Sequence, residues 1–161
     1  MTPAAVLAKA LKSCNRAEIA RLTGISMRKV RHAENGAKGH ATDADDYLRL
    51  CQVLGIDPMT GKAVPPRTPP GTLDRILFAA GVRAIRRYRN KHSIREAAAK
   101  MGISITTLSR IENGHVRGID GMLAACRYIG IHPLHYVGAA GFTGNMTGNL
   151  LIAHADQRSA A

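Results

Sequence analysis

The sequence predicts an all-α protein built as two small helical units, and three observations carry that expectation. Apolar residues recur at the spacing of a helix face, between residues that start helices and glycines that stop them. The pattern is written twice: Glu34-Asn35-Gly36 returns as Glu112-Asn113-Gly114, an offset of 78 residues. Between the copies lies KAVPPRTPPG, residues 62–71, whose four prolines carry no helical period and read as a semi-rigid, extended linker. The expected plan is four to five short helices in residues 1–61, the linker at 62–71, a matching set in 72–137 and a Gly-rich tail over 138–161.

The elements follow in order. Thr2-Pro3 opens the first helix, with threonine as cap and proline where a missing N–H costs nothing. Val6, Leu7, Ala10 and Leu11 form its apolar stripe. In NRAEIARLTG, Asn15 caps a second helix, Glu18 stands three residues on as in a capping box, and Gly24 ends it. Ser26 caps a third helix, which stops at Asn35-Gly36. TDADDYLRLCQVLG suits a fourth, with acidic residues in the first turn where the helix dipole favours them. After the linker, TLDRILFAAG begins a new helix and VRAIRRYRNKH gives a further, strongly basic one.

From Ser93 the early pattern returns. Glu18 matches Glu96, Ala20 matches Ala98, and Gly24-Ile25-Ser26 matches Gly102-Ile103-Ser104. Three residues are then absent from the second copy, so the offset becomes 75, and Cys51, Gly55-Ile56 and Pro58 meet Cys126, Gly130-Ile131 and Pro133. Agreement at caps, turns and core positions marks an internal duplication. The tail, GAAGFTGNMTGNLLIAHADQRSAA, is expected to be flexible, with NLLIA adding a strand to a protein partner or a second copy.

Charge sets the partner class. Twenty-three Lys and Arg against eleven Asp and Glu leave +12, an excess that points to a polyanion, with nucleic acid ahead of a membrane surface. With no Trp and six other aromatic residues, four Tyr and two Phe, the cores must be built from Ala, Leu, Ile and Val. No apolar run approaches the ~18 residues of a membrane span, and Lys9 and Lys12 interrupt the N-terminal apolar stretch, unlike a signal peptide. Three widely spaced cysteines, Cys14, Cys51 and Cys126, suit a reducing cytoplasm better than a disulfide scaffold.

Each copy reads as a helix, a tight Gly-Ile turn and a second helix begun by serine. Val30 and Leu108 would pin that second helix to the core. This is the helix-turn-helix order, in which the second helix enters the DNA major groove. Both copies resemble the Cro/phage-repressor (XRE-type) helix-turn-helix family, the second closely over residues 82–137 and the first over residues 3–60. The resemblance implies two lambda-repressor-like domains and a sequence-specific, double-stranded DNA-binding transcription regulator of a bacterium or phage. Such a protein is expected in the cytoplasm, on the nucleoid when bound, without cofactor, metal or catalytic residues.

Helical position separates readers from supports. Met27, Arg28, Arg31 and His32 in the first copy, and Ile105, Thr106, Ser109 and Arg110 in the second, should face the bases. Arginine forks onto guanine, while Met, Ile and Thr methyls pack on thymine. The blander role for these arginines is phosphate contact, where most protein–DNA hydrogen bonds go. By resemblance, Asn35 and Asn113 contact phosphate, and Gly36 and Gly114 take the left-handed position after the helix. The phosphate set is completed by Asn15, Arg16, Ser26, Lys29, Lys38 and His40 in one copy, and by Arg95, Ser104, Thr107, His115 and Arg117 in the other. The resemblance also pairs Glu34 with Lys9 and Glu112 with Arg87, braces that fix the recognition helix. Residues 59–71, extended at ~3.1 Å per residue, would reach roughly 40 Å, enough for adjacent major grooves ~34 Å apart.

Other readings are weaker. His132 and His135 have a spacing seen in metal sites, but Pro133 breaks the helix between them, and helix-start chemistry explains the stretch better than zinc. RAIRRYRNKH could face a membrane, yet its place at the start of a helix-turn-helix unit favours DNA phosphate. The competing class is an antitoxin or antiactivator that uses the fold for protein–protein contact, and a charge of +12 argues against it.

Overall fold

The computed structural model describes residues 2–36 and 43–138. Among these residues there are eight α-helices and no β-strand beyond isolated bridges. They are α1 (Pro3–Lys12), α2 (Arg16–Thr23), α3 (Met27–Glu34), α4 (Ala44–Leu54), α5 (Arg75–Ala84), α6 (Ile94–Met101), α7 (Ile105–Glu112) and α8 (Ile119–Ile129). A 3-10 turn, Pro133–Tyr136, follows α8. Lys38 and His40, and the tail with NLLIA, lie outside the described residues.

The helix boundaries come from local chemistry. The Thr2 hydroxyl accepts the Ala5 amide at 3.3 Å ahead of Pro3. Asn15 Oδ1 accepts the amides of Ala17 and Glu18 at 3.0 and 3.4 Å. A reciprocal capping box forms at Ser93 and Glu96, each side chain bonded to the other's amide. α2 and α6 both end on a left-handed glycine, Gly24 at φ 69° and Gly102 at φ 68°, a conformation that costs a side-chain-bearing residue energy.

Two expectations are corrected. The two helices expected on either side of Gly81 are one continuous rod, because α5 runs directly into a five-residue π turn, Ile85–Arg89. Gly81 is a point of close approach and not a stop: a Cβ there would lie 2.5 Å from Tyr136 Oη. The linker is not a free spacer. Val64 N–H donates to Gly55 O at 2.8 Å, and Arg67 N–H to Gln52 O at 2.8 Å. The buried Gln52 side chain clasps Gly71, donating to its carbonyl at 3.1 Å and accepting its amide at 2.9 Å.

The two halves share one hydrophobic core, which runs from Leu7, Leu11, Tyr47 and Leu50 to Phe78, Met122, Ile129 and Tyr136. α4 packs on α8 across the middle. Ala44 N–H donates to Arg117 O at 3.1 Å, and Asp43 and Gly118 form an antiparallel bridge. Arg75, at the start of α5, donates to the Asp45 carboxylate of α4.

Tyr136 packs edge-on against Phe78, ring centres 5.1 Å apart, and its buried hydroxyl has no hydrogen-bond partner among the described residues. Burying an unpaired hydroxyl costs about 1 kcal/mol or more. Tyr136→Phe is therefore expected to raise the thermal midpoint, and Gly81→Ala to lower it. The double variant should lose less than the sum, because the phenylalanine vacates the space a Cβ needs. Thermal melts of the four proteins check this.

Candidate nucleic-acid interface

The geometry of α3 and α7 starts with their caps. Ser26 Oγ accepts the Lys29 amide at 3.4 Å, and Ser104 Oγ accepts the Thr107 amide at 3.0 Å. Behind the caps, Val30 and Leu108 are fully buried, so each helix is seated by one face. The opposite face is open. Met27, Arg28 and Arg31 are exposed on α3 with His32 half-buried; Ile105, Thr106 and Arg110 are exposed on α7 with Ser109 half-buried. Met27 is 54% exposed and Ile105 45%, although exposed large apolar side chains are few among the described residues.

The glutamates that end these helices are buried and braced, but by other arginines than expected. Arg16 forks onto Glu34, Nε to Oε2 at 2.5 Å and Nη2 to Oε1 at 2.8 Å. Arg86 forks onto Glu112, Nε to Oε1 at 2.5 Å and Nη2 to Oε2 at 2.9 Å. The expected partners, Lys9 and Arg87, are both exposed and point off the packed stripe. The physical reason is helical phase. Phe78, Val82 and Arg86 follow one another at four-residue intervals and are all buried, whereas Arg87 lies about 100° further round.

The two units thus brace the same glutamate from different places. On α1 the buried stripe runs Leu7–Leu11 and ends on a leucine. The charge of Lys12 on that helix also favours the Glu34 carboxylate, but the forked cation does not come from there. Arg16, in the first turn of α2, supplies it instead. Ile94, which matches Arg16 in the repeat, packs half-buried against the core. Arg16, expected at phosphate, is thus also the brace of Glu34.

Other members of the phosphate set have partners inside the protein. Lys29 Nζ donates to Asp46 Oδ2 at 2.7 Å. Ser104 and Thr107 hydroxyls bond each other at 2.8 Å, and Asn113 Nδ2 donates to Ser109 O at 2.8 Å. Asn15, Ser26, Asn35, Arg95, His115 and Arg117 have exposed positions. Gly36 and Gly114 take positive φ, 55° and 80°, and turn the chain off the helix ends. Arg83 also donates to the Glu112 carbonyl, closing the end of α7. His132, weighed above as a metal ligand, accepts the Leu134 amide at 3.3 Å through Nδ1, and its Nε2 meets Asp57 Oδ2 at 3.1 Å. Cys51 and Cys126 are buried thiols, pushed up to about 12 by burial.

The carboxylates carry a pH signature. The hydrogen bond from Arg16, with its charge, holds Glu34 below the ordinary 4.5. The Ser93 hydroxyl and amide do the same for Glu96. A depressed folded pKa gives stability that is complete above the unfolded value and is lost as pH falls through the folded one. Urea midpoints are therefore expected to hold from pH 7 to about 5 and to fall below about 4.5. The double variant Glu34→Gln, Glu96→Gln should start lower and flatten that fall.

Sequence alone missed Arg86, the bracing role of Arg16, and the contacts of Arg75 and Gln52. The four-residue stripe on α5 was the available signal for the first. The others join residues remote in sequence and left no local mark.

Comparison with known proteins agrees with this geometry for the C-terminal half. Searches of curated proteins and of solved structures return no match. A family model described as Helix-turn-helix matches residues 82–124, which run from within α5 through α6 and α7 into α8. Its members are Cro/C1-type DNA-binding regulators. Residues 82–124 are therefore similar to the Cro/C1-type, XRE helix-turn-helix family.

Proposed function

We propose that the chain is a sequence-specific, double-stranded DNA-binding transcription regulator of a bacterium or phage, and that α3 and α7 are two unlike recognition helices. The family match supplies DNA binding for the α6–α7 pair. The observation that carries the extension to α2–α3 is the shared presentation of the two second helices. Each is seated by a buried face that includes Val30 or Leu108, capped by serine, ended by a braced glutamate, and exposes a large apolar side chain, Met27 or Ile105, at its first position. A net charge of +12 supplies the field that draws the chain to a polyanion.

The two faces differ in chemistry, MRKVRH against ITTLSR. The half-site of α3 should therefore favour guanine more, through Arg28 and Arg31. A further homodimer or protein contact through residues 138–161 belongs to the same proposal. A mobility-shift titration on random duplex tests DNA binding, with affinity expected to fall steeply between about 50 and 200 mM salt. Salt-independent binding, or none, would leave protein–protein contact as the function of the fold. Selection from a random duplex pool then tests the two readers, and a strictly symmetric consensus would sink the claim that they are unlike.

A further inference from the structure

The contacts between the two halves follow a rule that the repeat makes visible. In the region where the copies match at an offset of 75, Asp43 corresponds to Gly118, Asp57 to His132, and α4 to α8. These are the pairs that touch. Asp43 bridges Gly118, His132 Nε2 meets Asp57 Oδ2 at 3.1 Å, and α4 lies against α8. Corresponding residues meet at the start of the helix pair and again beyond its end, so α4 and α8 run side by side in the same direction.

Contact between corresponding residues is the mark of an isologous interface, in which each copy presents the same patch across a two-fold axis. A head-to-tail arrangement would join a patch of one copy to a different patch of the other. A sideways translation would set the bridging segments parallel, whereas the Asp43–Gly118 bridge is antiparallel. The axis therefore runs between α4 and α8, along their length.

We infer that the chain is a self-contained pseudo-dimer, whose local two-fold axis at the α4–α8 seam fixes α3 and α7 as an inverted pair at one spacing. This rests on the two-reader function proposed above. B-DNA carries the same kind of dyad, so a rigid two-fold protein matches half-sites in inverted orientation. The seam, not the reach of residues 62–71, sets the distance between half-sites. The clasp of Gln52 on Gly71 and the pairing of Arg75 with Asp45 tie the linker and the start of α5 to α4. One chain then occupies a whole site.

The test uses the full chain and synthetic duplexes carrying the two half-sites recovered by selection. They are arranged as inverted or direct repeats, with the centre-to-centre distance varied in single base pairs. Titration calorimetry gives affinity and stoichiometry together. The expected result is one chain per duplex and a single best inverted spacing, with at least about tenfold weaker binding for direct repeats and for spacings two base pairs away. Equal affinity for direct and inverted repeats, tolerance of spacing, or two chains per site would overturn the inference while leaving two readers intact. Selection that recovers only one half-site, or none, would instead overturn the two-reader function and the inference with it.

Discussion

Glu112→Gln is expected to destabilise the protein by about 3 kcal/mol, the size found when one partner of a buried ion pair is removed. The Arg86 side chain is 9% exposed and that of Glu112 is 7%, so the guanidinium left behind could not recover its hydration. Its hydrogen bond to the His92 carbonyl, at 3.1 Å, does not neutralise it. For a chain of this length the loss corresponds to roughly 10 °C in Tm. The variant Arg86→Met, Glu112→Gln should recover most of it, because no buried charge then remains. A single variant that melts within about 2 °C of the parent, by this scale about 0.6 kcal/mol, would show that the pair is not what seats α7.

The equivalent change in the first unit should cost less. Arg16 is 51% exposed on its side chain, so after Glu34→Gln its guanidinium turns to water. The comparison separates two uses of one motif. Glutamate, asparagine and glycine end both helices in the same way, yet the energy stored at the glutamate depends on where the arginine comes from. A guanidinium on the buried stripe of α5 is locked in the core, and one at the head of α2 sits at the surface.

Much of the architecture was legible because it is written in short-range chemistry. Gly24 and Gly102 had to be left-handed turn residues, and Ser26 and Ser104 had to be caps, since each follows from neighbours a few positions away. Val30 and Leu108 as anchors followed from helical phase. Gly81 misled because a glycine at the end of an apolar run reads as a stop. Its function, admitting the Tyr136 ring, depends on a residue 55 positions later. The Pro-rich stretch misled in a similar way: proline composition describes the stiffness of a chain but not what it lies against. Lys9 and Arg87 were carried over by resemblance to their family positions, and the continuation of α5 through the π turn brought Arg86 inward instead.

Arg28→Ala and Arg110→Ala are each expected to weaken binding to the preferred duplex by about 1–3 kcal/mol, roughly five- to more than a hundredfold. Both side chains are exposed on helices whose opposite faces are buried, and the substitutions remove no packed atoms. Thermal midpoints should stay within the small range of surface changes. Each variant should lose its guanine preference in one half-site only, if α3 and α7 address different halves as proposed. Two-fold geometry sharpens this. Mapped onto the inverted pair, the lost preferences should fall on opposite strands, one on either side of the centre. A uniform loss on all sequences, with the salt slope reduced by about one, would make the residue a phosphate contact and remove it from the reading face.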